Sequence, residues 1–240
     1  MNADVQPIPA LNLAIAFLPV LLVWLIMQWW SLPSRQALYA SGRMLLQLLL
    51  VGYVLTYIFE SERGLVVVGV LIVMLLAASG IALRPISRNY RHLFWIVCAA
   101  IIIGGVSTLI LVSQFVFNLD RWYEPTYLIP LGGMIFSNCM NSISLAAERF
   151  EAECQQDKEK SEARRTAMNA AMIPQINTLL AVGIVALPGM MTGQILSGVS
   201  PLIAAQYQIV VMTMIFGSAG MATAAYLWLI GHVRRSSAER

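Results

Sequence analysis

Between Ile173 and Met212 the chain runs for 40 residues without a single Asp, Glu, Lys or Arg. An uncharged apolar stretch of that length belongs in a lipid bilayer, where about 20 residues of helix suffice to cross. Yet it is interrupted by Pro174, Gly183, Pro188, Gly189, Gly193, Gly198 and Pro201. Pro188 removes a backbone donor and crowds the carbonyl four residues earlier. In lipid the freed groups must be met by neighbouring protein, hydroxyls or water. The sequence therefore predicts a membrane helix broken at Pro188 and Gly189. Two readings of the break stand side by side: a kink whose small residues let helices approach, or a break that lines a transport path. On the second reading Pro188→Ala straightens the helix and raises stability while lowering transport.

Composition extends the constraint to the whole chain. Hydrophobic residues make up 59% and charged residues 11%, against a usual charged share of about 25%. A soluble core cannot hide so much apolar surface in 240 residues. The expectation is an all-α, polytopic transmembrane bundle forming one permease-sized domain over 1–240. Apolar runs predict about seven spans: Ala10–Trp30, Gly42–Phe59, Gly64–Leu83, Leu93–Phe117, Thr126–Ala147, Ala171–Leu196 and Ala205–Gly231. Alternate loops and the tail hold Arg35, Arg43, Arg84, Arg88, Arg91, Arg149, Lys158, Lys160, Arg164, Arg165, Arg234, Arg235 and Arg240. These are 13 of the 15 Lys and Arg residues, and only Arg63 and Arg121 fall on the other side. The positive-inside rule then puts the N-terminus outside and the C-terminus in the cytoplasm.

The one long polar stretch, Glu148–Arg165, is rich in Glu, Lys, Arg, Ala and Gln and has neither Gly nor Pro. Such residues favour helix, so the fifth span is expected to continue as a helix into the cytoplasm and turn back before Pro174. A helical connector over 148–170 would be about 35 Å long. Within it Arg149 and Glu153 make an opposite-charge i,i+4 pair, and Lys160 and Arg164 a like-charge one. With Lys158 and Arg165 they form a candidate gripping surface for a nucleotide-hydrolysing partner. The alternative is a solvated connector.

Several chemistries are missing. Lys158 and Lys160 are the only lysines and neither follows a Gly, so the chain has no Gly-Lys phosphate loop. Neither HExxH nor GxSxG occurs, and the three cysteines show no CxxC spacing, so no zinc site or disulfide framework is implied. No charged residue falls clearly inside a span, which argues against a proton-coupled carrier. His92 and His232 lie near span ends, as interfacial residues do. Recognition is left to amides and sulfur. Amides suit harder ions and thioethers softer ones, but amides also join helices and methionines also fill gaps. Metal ligands stay undetermined, with Met190 and Met191 as candidates. No nucleic-acid partner and no cofactor on this chain are expected.

LPGMMTGQILSG, Leu187–Gly198, followed by YQIVVM, Tyr207–Met212, resembles the FetB-type family of ABC-transporter membrane subunits. That family is linked to iron export in bacteria and, through plant relatives, to aluminium tolerance. GRMLLQLLLVGYVL, Gly42–Leu55, looks like its second-helix motif, and PLGGMIFSNCM, Pro130–Met140, like its fifth-helix motif. The resemblance covers about Gly42 to Tyr226. It implies a permease subunit of the bacterial inner membrane. That subunit would pair as a homodimer, bind two copies of a separate ATPase that carries the ATP, and export iron or another metal species. The residues in or beside these motifs, Gln47, Asn138, Met140, Pro188, Gly189, Met190, Met191 and Gln194, are then the candidate substrate path. Arg149, Glu153, Lys158, Lys160, Arg164 and Arg165 are the candidate coupling surface. Relatives carry a longer stretch here with a Leu-Gly-Ala type segment, whereas this chain passes directly from Gln156 to Asp157–Met172. A non-transport membrane scaffold or sensor, and a self-contained secondary transporter, are the competing readings.

Overall fold

A computed structural model describes residues 8–59, 63–86, 90–119, 121–156 and 159–238, without the side chains of 55–57, 59, 90–91 and 233–238. Every regular element described is helical: α1 (Ala10–Ile15), α2 (Leu18–Trp29), α3 (Ser34–Phe59), α4 (Gly64–Ala82), α5 (Tyr90–Ile101), α6 (Ser107–Leu111), α7 (Pro125–Gln155), α8 (Lys160–Ala181), α9 (Gly189–Leu196) and α10 (Pro201–Ala238). π-helical turns at Ile102–Val106 and Val112–Val116 flank α6. Six described stretches are long and apolar enough to cross a membrane: Ala10–Trp29, Ser34–Val54, Gly64–Ala82, His92–Val116, Pro125–Gln155 and Pro201–His232. This is the polytopic helical architecture that the apolar runs predict. The expected sixth span, Ala171–Leu196, is not one helix but the end of α8, an irregular segment and α9.

By contacts the chain falls into two compact units, 1–62 and 63–240. In the first unit, Ala10–Trp30 is interrupted at Ala16 and Phe17, because Pro19 sits in the first turn of α2 and has no N–H to continue α1. The loop expected over Ser31–Ser41 is much shorter, since α3 starts at Ser34 directly after Pro33. A cavity of about 340 Å³ lies between α2 and α3, against Trp24, Ala37 and Ser41.

In the second unit α7 is the central strut, packing against α4, α8 and α10. Leu131, Ile135, Cys139, Ile143 and Phe150 are buried along it, mostly four residues apart, as one face of a helix requires. α8 answers with Ala163, Ala167 and Ala171, all fully buried. Small side chains at that spacing let the two backbones approach closely. Past this seam Gln175 Nε2 donates to Ser142 Oγ across 3.1 Å, a buried bond between α8 and α7. The polar connector is therefore a helical hairpin, turning back before Pro174 as expected. α7 runs to Gln155, the chain turns back by Glu159, and Pro174 lies inside α8. Burial of the alanine seam overrides the uniform helix propensity of Glu148–Arg165.

The α5–α6 rod packs on α10 at Gly104, where an added Cβ would stand 2.7 Å from Ala222 Cα. Carbonyls loosened by the first π turn accept hydroxyls: Ser107 Oγ donates to Ile103, and Thr108 Oγ1 to Gly104 at 2.6 Å. Lower down, Cys98 Sγ and Ser79 Oγ meet at 3.2 Å between α5 and α4.

Candidate functional site

The break between α8 and α9 begins earlier than the sequence predicts. Val182 turns extended, at φ −64° and ψ 132°, and Gly183 follows at φ +82°, a region costly for residues with a Cβ. The Ala181 carbonyl then accepts from Ile184, Val185 and Ala186 at 3.2, 2.8 and 3.1 Å, while Gly183 N–H donates to Ala186 at 2.9 Å. Pro188 is no kink within a helix: at φ −65° and ψ 144° it is the N-cap of α9. Its carbonyl accepts the Thr192 N–H at 3.0 Å and the Thr192 hydroxyl at 3.1 Å. Pro188→Ala therefore cannot straighten a helix there, because the chain has already left helical geometry at Val182.

Helix register gives the depth of the break. Gln175 stands level with Ser142. At 1.5 Å per residue, Ala181 is about 18 Å below the level of Glu124 at the start of α7, and Glu124 to Arg149 is about 37 Å. The break thus opens near the midpoint of the apolar length of α7. α8 and α10 run antiparallel, with Arg164 against Gly231 and Met172 against Gly220. α8 and, beyond the break, α9 both pack on α10.

Unpaired backbone is concentrated here. Gly183 and Ile184 N–H bond elsewhere, so the Leu179 and Leu180 carbonyls lose their helical donors. No hydrogen-bond partner stands opposite the N–H of Leu187, Gly189, Met190 or Met191 among the described residues. Ile184, Val185, Leu187 and Leu196 are 89, 83, 67 and 65% exposed around them. The segment combines an apolar rim with open donors and acceptors, the chemistry of a polar notch in an apolar wall.

The predicted path residues divide. Pro188, Gly189, Met190, Met191 and Gln194 share the break and α9, which packs on α10, and Gln194 Oε1 is buried without a partner. On α9 Met190 and Met191 project about 100° apart, so one chain does not turn both thioethers to one ion. Asn138 and half-buried Met140 lie on α7; the Asn138 amide donates to Met134 of its own helix at 2.8 Å. Gln47 belongs to the first unit, where its amide, oxygen turned to Arg43, accepts from Arg43 Nε at 3.1 Å. Among the described residues no three His, Cys, Asp or Glu side chains gather as a metal site. Gln208 is among the amides that the sequence places inside spans but lies outside the family motifs; it is 4% exposed with neither amide atom bonded. No local pattern distinguishes it from the exposed Gln206.

The coupling candidates also change character. Arg149 and Glu153 form the expected pair at 2.5 Å, but Glu153 is 1% exposed, so this pair is part of the packing. Arg164 lies against Gly231. Lys160 and Arg165 remain exposed on α8; Lys158 lies outside the described residues. Reversing Arg149, Arg164 and Arg165 together would therefore disturb the fold as well as the surface.

The profile of an uncharacterised protein family, UPF0014, matches residues 10–164 and 160–233. The chain belongs to the UPF0014 family. The two matched stretches meet in the polar hairpin, where the sequence is shorter than the resemblance implies. A UPF0014 membrane protein of Synechocystis, slr1647, is 37% identical over 220 residues, covering 83% of each chain. The probable iron export permease protein FetB of Escherichia coli is 32% identical over 235 residues, 90% of this chain and 89% of that one. The protein ALUMINUM SENSITIVE 3 of Arabidopsis thaliana is 30% identical over 247 residues, 91% of this chain and 84% of that one. No solved structure matches significantly.

Proposed function

We propose that this UPF0014 protein is the membrane-spanning subunit of an ABC transporter and exports iron or another metal species across the bacterial inner membrane. It pairs as a homodimer and binds a separate ATPase at its cytoplasmic face, with the ATP held there. The likeness to a probable iron export permease supports the cargo class. The 13-to-2 split of basic residues supports seven crossings with the N-terminus outside, the α8–break–α9 segment making the sixth. The observation that carries the reading is the break itself, with open N–H and carbonyl groups halfway along the apolar bundle. Non-helical backbone at membrane depth needs a polar lining or covering protein, and a path between two copies supplies one. The exposed cations Lys160 and Arg165 on α8 are the remaining described candidates for gripping the ATPase.

The decisive experiment is metal flux in liposomes holding this chain with and without its ATPase, tested across iron and several other metals. ATP-dependent efflux of iron is expected. Equal flux without any ATPase would replace this reading with a self-contained carrier. Tight ATPase binding with no flux of any metal would leave a scaffold.

A further inference from the structure

Arg164 is held in an unusual way. A Cβ on Gly231 would stand 2.7 Å from its Cζ and 2.9 Å from its Nε, so only glycine lets the guanidinium lie on α10 at this point. Gly231 is buried, and Arg164 Nε is shut from solvent with no hydrogen-bond partner. Among the described residues no carboxylate pairs with this guanidinium, whereas Arg149 has Glu153. Glu162, two residues away, leaves α8 about 200° around the helix. With Nε shut in, the terminal N–H groups of this half-buried guanidinium are the donors left over, and they suit a phosphate, which Arg binds in bidentate fashion.

Depth decides where that phosphate comes from. One turn before Gly231, Trp228 is 58% exposed and contacts the His232 ring at 4.3 Å between centroids. An exposed tryptophan at a span end marks the headgroup layer. The hairpin turn that a protein partner would meet first lies about 8 Å farther along α8. No acidic residue occurs in α10 from Pro201 to Ala238. We propose that Arg164, seated on Gly231, is a receptor for the phosphate of an anionic phospholipid held where α8 meets α10. The site is independent of the cargo and of the ATPase.

The test uses the full chain in nanodiscs of phosphatidylcholine with and without phosphatidylglycerol, with bound lipid read by native mass spectrometry. Wild type should retain phosphatidylglycerol about fivefold better than Arg164→Gln, the change expected for one cation at a membrane surface. Arg164→Lys should recover part of that difference. Gly231→Ala should mimic Arg164→Gln by pushing the fork off its seat, and it is read instead should Arg164→Gln melt early in pure phosphatidylcholine. Millimolar inorganic phosphate should not displace the lipid. Three results would each overturn the proposal: unchanged lipid retention in both Arg164→Gln and Gly231→Ala, complete displacement by inorganic phosphate, or normal retention with loss of ATPase binding.

Discussion

Gly104 and Gly189 both stand in apolar helical stretches, but their surroundings are opposite. At Gly104 a Cβ would meet the Ala222 backbone and side chain at 2.7 and 2.8 Å; at Gly183, Gly189, Gly193 and Gly198 it would meet nothing within 4 Å. The first glycine is there because another helix leaves no room. The others stand where the backbone must turn or stay uncovered. A count of small residues in a membrane span therefore says little until each is assigned to contact or to conformation. Interior packing punishes added volume, while an exposed backbone turn punishes only the wrong φ.

The contrast can be tested by substitution, taken from the largest expected effect to the smallest. Gly104→Leu forces α10 away from the α5–α6 rod and should cost about 3 kcal/mol or more, seen as early thermal unfolding in detergent or failure to purify. Near-normal stability would mean that the rod and α10 separate easily. Gly183→Ala places a Cβ at φ +82° and should cost about 1–2 kcal/mol with no loss of packing. A neutral result would show the turn in another conformation. Pro188→Ala loses only the pre-set backbone angle and should destabilise by about 0.5–1 kcal/mol; a gain in stability would revive the kinked-helix expectation. Gly189→Leu at the open start of α9 should change stability by less than about 0.5 kcal/mol. It should nonetheless lower flux in the liposome assay if the break lines the path, and unchanged flux would sink that role.

Much of the fold was legible because membrane spans are announced by composition: α4, α7 and α10 all lie where apolar runs place them. The start of α10 was also in principle readable. Ser200 Oγ accepts the Ile203 N–H at 3.4 Å and Pro201 fills the first helical position, the usual pairing at a helix start. The position of the break was not. Pro188 looked like its cause, yet proline suits the edge of a helix as well as its interruption, and only the bonds of Ala181 and Gly183 show where α8 stops. The candidate site was legible as a segment but not as a constellation. Met190 and Met191 are neighbours in sequence and diverge on the helix, while Asn138 spends its amide locally. Arg164 shows the same limit. As text it is one more surface cation; in the fold it is pressed onto a glycine 67 residues away.

The two π turns around α6 have a consequence at the level of genes. A π turn holds one residue more than the α-helical turn it replaces. Deleting one residue inside Ile102–Val106 or Val112–Val116 would let that turn relax to ordinary helix, and the faces beyond it would keep their register. The same deletion in α7 would rotate every following side chain by about 100°, taking Ser142 away from Gln175. Length variation among homologues should therefore gather in the α5–α6 rod and be absent from the central strut.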